Sequence, residues 1–332
     1  MVDNFIFSSK KRTAVVLFQL GGPDSLESIK PFLYNLFMDP DIINLPSIFL
    51  ARKFFAKFVS SRRATKVAEK YKQIGGKSPI FDLTQQQAWS LESELNHQNI
   101  DASVFICMRY WHPMTGEVIQ KIKTGNFEQV ILLPLYPQYS KATTYSSLNE
   151  WNRLAKEHCF NIPTKLVYCY PNQHALIDAF VVNINKTMIK FADIDQHEID
   201  LVFSAHGNYI DKGDPYQLQV KETVQCILNQ GNWKSQHTLC YQSKIGPVKW
   251  LKPSLVETVE RLAKKGRKHF LIIPVTFVTE HIETLYEINI ETRKIAMAHG
   301  AHKFELMPAL NNHPKFIQCL AELVQAQLAT NL

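Results

Sequence analysis

Residues 269–277, HFLIIPVTF, run straight into 277–291, FVTEHIETLYEINIE, and the junction between them decides how the rest of the chain is read. The first is an unbroken apolar run, the pattern of a strand buried on both faces, as in a parallel sheet. The second carries His281 and four carboxylates, Glu280, Glu283, Glu287 and Glu291, spaced by three, four and four residues. If the chain is helical from Glu280 onward, the carboxylates share one face, and each like-charged i,i+4 pair costs an isolated helix about 0.2–0.5 kcal/mol. Such a stripe is either a solvated acidic face or a track for protons, cations or a metal. Its place at the end of a buried strand, where α/β folds hold ligands, favours the second reading. His281 beside it adds a group that takes a proton near neutral pH.

The same pattern recurs along the chain. Residues 13–20, TAVVLFQL, are a continuous apolar run ending in Gly21, Gly22 and Pro23, after which Asp24 or Ser25 can cap a helix carrying Phe32, Leu33, Leu36 and Phe37. Strands are expected at 102–109, 129–135 and 165–169, alternating with helices at 83–95, 115–123 and 144–157. Strands at 200–205, 238–242 and 269–277 follow, with helices at 214–229 and 253–265 between them and an amphipathic helix at 313–328. Alternation of this kind predicts a parallel, doubly wound α/β fold. The halves also echo one another: AVVLFQLGGPD with LVFSAHGNYID, VFICMRYWHP with TLCYQSKIGP, and ILLPLYPQYS with LIIPVTFVTE. If the halves face each other, the loops after these strands bring Arg109, His206, Ser243 and Glu283 to one cleft.

At 332 residues with 45% hydrophobic and 20% charged content, the chain suits one large or two medium globular domains. No run approaches the ~20 apolar residues of a membrane span, and the N-terminal stretch lacks a signal-peptide core, so a cytoplasmic protein is expected. Six cysteines without a C-x-x-C pair exclude a zinc ribbon and point to reduced thiols. The βα turn at Gly21 lacks G-x-G-x-x-G, which sets nicotinamide cofactors aside. A phosphate loop ending in Gly76, Lys77 and Ser78 would need a glycine where Tyr71 stands, so the Gly75–Gly76 pair is read as a turn. Much of the net charge of +7 sits at 52–72, where Arg52, Lys53, Lys57, Arg62, Arg63, Lys66, Lys70 and Lys72 face only Glu69. Interleaved with and just before them are Ile48, Phe49, Leu50, Phe54, Phe55, Phe58 and Val59. This mixture suits a membrane surface or an anionic amphiphile better than nucleic acid, the alternative being a core helix with a solvated basic face.

Taken together, the loop motifs resemble the ferrochelatase family, whose members insert ferrous iron into a porphyrin. The matching stretches are LGGP at 20–23, IGGKSP at 74–79, RYWHP at 109–113, YPQYS at 136–140, SAHG at 204–207, GDPY at 213–216, YQSKIGPVKWL at 241–251 and HIETLYE at 281–287. The resemblance implies two Rossmann-like domains with parallel sheets and a porphyrin cleft between them. These are placed at 1–160 with the porphyrin lip and 161–312 with the metal site, 313–332 packing back on the first half. It implies that His206 and Glu283 face each other across the macrocycle as catalytic groups and metal ligands, with Glu287 and Glu280 relaying protons or hydrated iron. It implies that Arg63, Tyr71, Ser78 and Ser243 hold the propionates, that Arg109 lies near the metal site, and that Leu20, Trp250 and Phe277 form apolar walls. In the family the acidic helix begins with a π-type turn, which would alter the spacing of the stripe.

Protoporphyrin IX and Fe2+ are the implied substrates, with protohaem and two protons as products and peripheral contact of residues 48–63 with the inner membrane face. Leu20 stands where members acting on coproporphyrin tend to carry tyrosine, which favours protoporphyrin. Asn208 and Tyr209 follow SAHG where a proline is usual. Only Cys319 lies near the end of the chain, so no iron–sulfur cluster is expected. A coproporphyrin ferrochelatase and a non-catalytic tetrapyrrole or metal carrier remain alternatives. His112 and His281 are read as structural, and Arg109 could equally serve an interface ion pair.

Overall fold

Strand β1 (Thr13–Gln19) is buried at every position and alternates between two cores: Val15 and Leu17 face one, Ala14, Val16 and Phe18 the other. That two-sided burial places it centrally in a parallel sheet, because only sheets covered on both faces hide both sets of side chains. In the computed structural model, which describes residues 11–43, 49–208, 213–242 and 250–330, β1 pairs with β2 (Ala102–Met108) and with β3 (Gln129–Pro134), and β3 pairs with β4 (Thr164–Leu166). A second parallel sheet repeats the plan with β5 (Ile199–His206) between β6 (Gln236–Gln242) and β7 (His269–Pro274), and β8 (Lys303–Leu306) outside β7.

The strand orders, β2-β1-β3-β4 and β6-β5-β7-β8, are the same arrangement twice. Each echoed pair of sequences occupies the same place in its sheet. By register, Gln19 opposite Met108 corresponds to Ala205 opposite Tyr241, so the next residues, Leu20 and His206, hold equivalent positions at the two sheet tips. The duplication extends to helix form: after β3 comes a π-helical turn, Lys141–Tyr145, and after β7 a π-helix, Glu283–Thr292. β4, which lies past residue 160, belongs to the first sheet.

Around the sheets lie α1 (Ile29–Met38), α2 (Phe49–Lys72), α3 (Ile80–His97), α4 (Thr115–Lys123) and α5 (Ser146–Glu157) in the first half. They are followed by α6 (His174–Met188), α7 (Tyr216–Gly231), α8 (Leu255–Lys264), α9 (Arg293–Ala298) and α10 (Pro314–Ala329). One core joins the halves: Val15 and Leu17 belong to the same buried cluster as Leu201, Phe203 and Ala205, closed by Phe180 of α6 and Phe316 and Leu320 of α10. α10 packs on α6 and on α3 of the first half, and Lys165 Nζ donates to the carbonyl of Gln327 near its end at 2.7 Å. Among the described residues no helix is long and apolar enough to cross a membrane.

The entry to α1 differs from expectation. The helix starts at Ile29, and Asp24, Ser25 and Ser28 instead bind one another in the preceding turn. Short polar side chains that satisfy each other locally compete with the cap they could otherwise provide.

Candidate active site

The loop after β1 and the loop before α3 are pressed together by glycine. Gly21 has φ of 85°, a left-handed value that side chains disfavour, and a Cβ on Gly22 would lie 2.6 Å from Ser78. Ser78 N–H donates to the carbonyl of Pro23 at 2.8 Å, which fixes LGGP against IGGKSP. Tyr71, the penultimate residue of α2, is buried with its hydroxyl beside Ser78. Burial first, then the charges of Glu283 and Glu287, push the Tyr71 phenol upward, so it stays a neutral donor. Leu20 packs on the cluster of Phe32, Phe37, Tyr71 and Tyr110, and the Arg63 guanidinium lies 5.7 Å from the centre of the Phe37 ring.

From the second half, Ile282 enters this same cluster and Glu283 follows it. His206, at the tip of β5, turns its Nε2 to Glu283 Oε1 at 3.6 Å, the histidine side chain 42% exposed and the glutamate 17%. The backbone around His206 is pinned: its N–H donates to Thr276 Oγ1 at 3.0 Å, and its carbonyl accepts from the Tyr216 hydroxyl at 2.9 Å. The Phe277 ring stands nearly edge-on to the imidazole, 6.0 Å away. Glu283 Oε2 accepts from Gln242 Nε2 at 3.1 Å, and Gln242 Oε1 accepts from Ser204 Oγ at 3.0 Å, so the amide is held donor-side toward the carboxylate.

Burial opposes charge on both members of the pair, yet their mutual attraction outweighs it. The imidazole of His206 is raised above its ordinary value, and Glu283 is lowered well below the usual carboxylate range. Each group therefore favours the charged form of the other, beside the Phe277 ring. An imidazole and a carboxylate so placed can bind a divalent transition metal or receive a proton.

The remaining acids do not form the α-helical stripe. Glu280 lies before the helix, accepts from the Ala309 N–H at 2.8 Å and from Thr284 Oγ1, and ties the loop to the strand β8 region. Glu283, Glu287 and Glu291 sit on the π-helix, whose i→i+5 bonding resets their angular spacing. Glu287 meets Lys70 Nζ at 3.3 Å. His281 is buried, with Nδ1 3.1 Å from the carbonyl of Thr279, and His112 sits at the surface 2.7 Å from Glu117.

Arg109 is held inside the first half. Its Nη2 lies 2.9 Å from Asp39 Oδ2 and its Nε donates to Ser146 Oγ at 2.8 Å. The same Asp39 oxygen accepts from the Tyr110 hydroxyl at 2.6 Å and from Ser146 Oγ. Arg52 is likewise buried, donating to the carbonyls of Asp39 at 3.3 Å and Ile43 at 2.7 Å, so it does not belong to the basic outer face of α2. That face consists of Lys53, Lys57, Arg62 and Lys66, with Leu50, Phe54 and Phe58 exposed at 65%, 72% and 63% along an i,i+4 ridge. Trp250 is half-buried with an unpartnered Nε1, next to Leu251, whose N–H donates to the carbonyl of Asn208 at 3.0 Å. Asn208, the residue after SAHG, donates through Nδ2 to Ser140 Oγ of the first half at 3.0 Å. Ser243 lies outside the described residues.

Sequence reasoning did not single out Gln242, Thr276, Tyr216, Asp39 or Lys70. Gln242 sat in view within YQSKIGPVKWL, immediately before the expected Ser243. Tyr216 sat likewise within GDPY and Lys70 within the basic run at 52–72, whereas Thr276 and Asp39 were visible only as ordinary strand and loop residues.

A ferrochelatase family profile matches residues 12–328. The chain is 42% identical over 319 residues to a ferrochelatase of Pelagibacter ubique, covering 94% of this chain and 90% of that one. It is 43% identical over 317 residues to a ferrochelatase of Citrifermentans bemidjiense, covering 95% and 98%. Among solved structures, SirB from Bacillus subtilis with Fe3+ superposes with a TM-score of 0.57 at 13% identity, covering 96% of each chain. That likeness speaks for a shared two-sheet fold.

Proposed function

Because the chain belongs to the ferrochelatase family, we propose that it inserts Fe2+ into protoporphyrin IX, giving protohaem and two protons, as the last step of haem formation. The observation that carries this reading is the His206–Glu283 pair, 3.6 Å apart at the tip of the second sheet and backed by Phe277.

Metallation requires two pyrrole N–H bonds to break as the metal–nitrogen bonds form. His206, as the neutral imidazole, receives one pyrrole proton at Nε2 while Glu283 stabilises the imidazolium that results; it passes that proton on towards solvent before the second pyrrole proton leaves by the same pair. The carboxylate also offers oxygen to the incoming iron, for which imidazole and carboxylate are suitable ligands. Glu287, further along the π-helix, passes protons or hydrated iron to and from the pair. The flat ring lies against Leu20, Phe277 and Trp250, and its propionates meet Arg63, Tyr71, Ser78 and Ser243. A large apolar ring with two carboxylates at one edge suits apolar walls with an arginine and hydroxyl donors at the rim. Arg109 shapes the first-half wall from its ion pair with Asp39.

The reaction needs no cofactor beyond the iron that is its substrate. The exposed ridge of Leu50, Phe54 and Phe58 among lysines and Arg62 supports peripheral contact with an anionic membrane, from which so apolar a substrate would arrive. A zinc-insertion assay offering protoporphyrin IX and coproporphyrin III in parallel tests the substrate. Faster metallation of protoporphyrin supports the reading. Preference for coproporphyrin reassigns the substrate, and tight porphyrin binding without turnover of either makes the protein a carrier.

A further inference from the structure

Lys70 belongs to the first half and Glu287 and Glu291 to the second, 217 residues or more along the chain, yet the Lys70 ammonium sits between the two carboxylates. Its Nζ is 3.3 Å from Glu287 Oε1 and 3.7 Å from Glu291 Oε2, and 5.0 Å from the centre of the Tyr286 ring. The lysine side chain is only 21% exposed, so this is not a long side chain sampling solvent. It also directly precedes Tyr71, and it stands where α2 packs on the start of the π-helix through Ile282.

From this placement we infer that Lys70 is a tethered cation that occupies the outer end of the acidic track and sets how readily divalent metal enters it. The inference rests on the metal-inserting reading of the site. Two carboxylates one helical turn apart attract a divalent ion strongly. A fixed ammonium contacting both offsets part of their charge and competes for the same oxygens. Metal reaching His206 and Glu283 must therefore displace the ammonium or slip past it, so Lys70 raises the apparent metal requirement in exchange for keeping α2 docked on the π-helix. Lys70 touches neither ring nor reacting atoms and is a positioning residue in this sense.

The test replaces the charge and keeps the stem, as Lys70→Met, with Lys70→Gln as a second neutral variant and Lys70→Arg as the charge-preserving one. Two readouts are taken: the apparent KM for Zn2+ during insertion into protoporphyrin IX, and the affinity of the porphyrin-free protein for Co2+ by spectrophotometric titration. In the neutral variants the Zn2+ KM falls about fivefold and Co2+ affinity rises by a similar factor, the scale of one partly screened charge contact. The KM for porphyrin stays put, and Lys70→Arg keeps wild-type values. In Lys70→Met/Glu287→Gln the gain in Co2+ affinity disappears. An unchanged or raised metal KM in both folded neutral variants, or an affinity gain that survives Glu287→Gln, overturns the inference. If the wild type inserts no zinc into any porphyrin, the chelatase reading fails separately, and the Co2+ titration still decides the role of Lys70.

Discussion

His206 Nε2 and Glu283 Oε1 face each other at 3.6 Å although 77 positions separate them in the chain, and each perturbs the other's ionisation. The folded pKa of His206 is raised, so its stabilising contribution is complete at pH below its unfolded value and disappears as pH rises through the folded one. Glu283 is lowered, so its contribution holds above its unfolded pKa and disappears as pH falls through the folded one. The pair is thus strongest at mildly acidic to neutral pH. In Glu283→Gln the largest attraction on the imidazole is removed, while burial and the weaker pull of Glu287 and the Gly207 backbone remain, so the His206 pKa falls. An NMR titration of the His206 ring in the porphyrin-free protein measures this, and an unchanged or raised pKa contradicts the pairing.

Glu283 and Glu287 differ in kind. Glu283 contacts His206 and Gln242, whereas Glu287 contacts Lys70. Glu283→Gln therefore abolishes insertion at any iron concentration, while Glu287→Gln slows it and raises the apparent iron requirement. Steady-state kinetics over a range of Fe2+ separate the two. Equal losses that excess iron cannot rescue would show that the carboxylates act as one unit.

Asp39 is a structural hub. One oxygen receives Arg109, Tyr110 and Ser146, and its side chain is fully buried. Asp39→Ala leaves the Arg109 charge buried without its partner and lowers stability by about 3–5 kcal/mol in urea unfolding. Ser146→Ala removes one donor and costs about 1 kcal/mol. A neutral effect of Asp39→Ala would mean that Arg109 is compensated elsewhere.

The proposed membrane contact predicts that the ridge on α2 binds anionic vesicles weakly and in a salt-sensitive way. Cosedimentation at low and at high salt checks this, and Phe54→Ser/Phe58→Ser weakens the low-salt binding. Absence of low-salt binding in the wild type removes the membrane role and leaves α2 as pocket cover.

Much of the fold could be read from continuous apolar runs, because strands buried on both faces cannot hide their composition. β1, β3, β5 and β7 lie at such runs, and the echo between halves reappears as two sheets of one order. β8, the four residues KFEL, carries too little pattern to be picked out, and α6 passed without notice between two loops. At the site, His206 and Glu283 were accessible through strand ends and motif resemblance. Spacing alone implies an α-helical stripe, whereas the π-type turn that the resemblance implies is the one present, at Glu283–Thr292. Arg52 counted as surface charge by composition, but two backbone carbonyls draw it inside. Lys70 on Glu287 and Asp39 under Arg109 are contacts between distant segments, which no local pattern announces.

The most direct measurement is zinc insertion into protoporphyrin IX by wild type and His206→Ala, with porphyrin binding followed in parallel by fluorescence. The account predicts that the wild type turns over and that His206→Ala binds porphyrin but inserts metal slower by at least the ~10²-fold typical of losing a general base. Near-normal insertion by His206→Ala would contradict it.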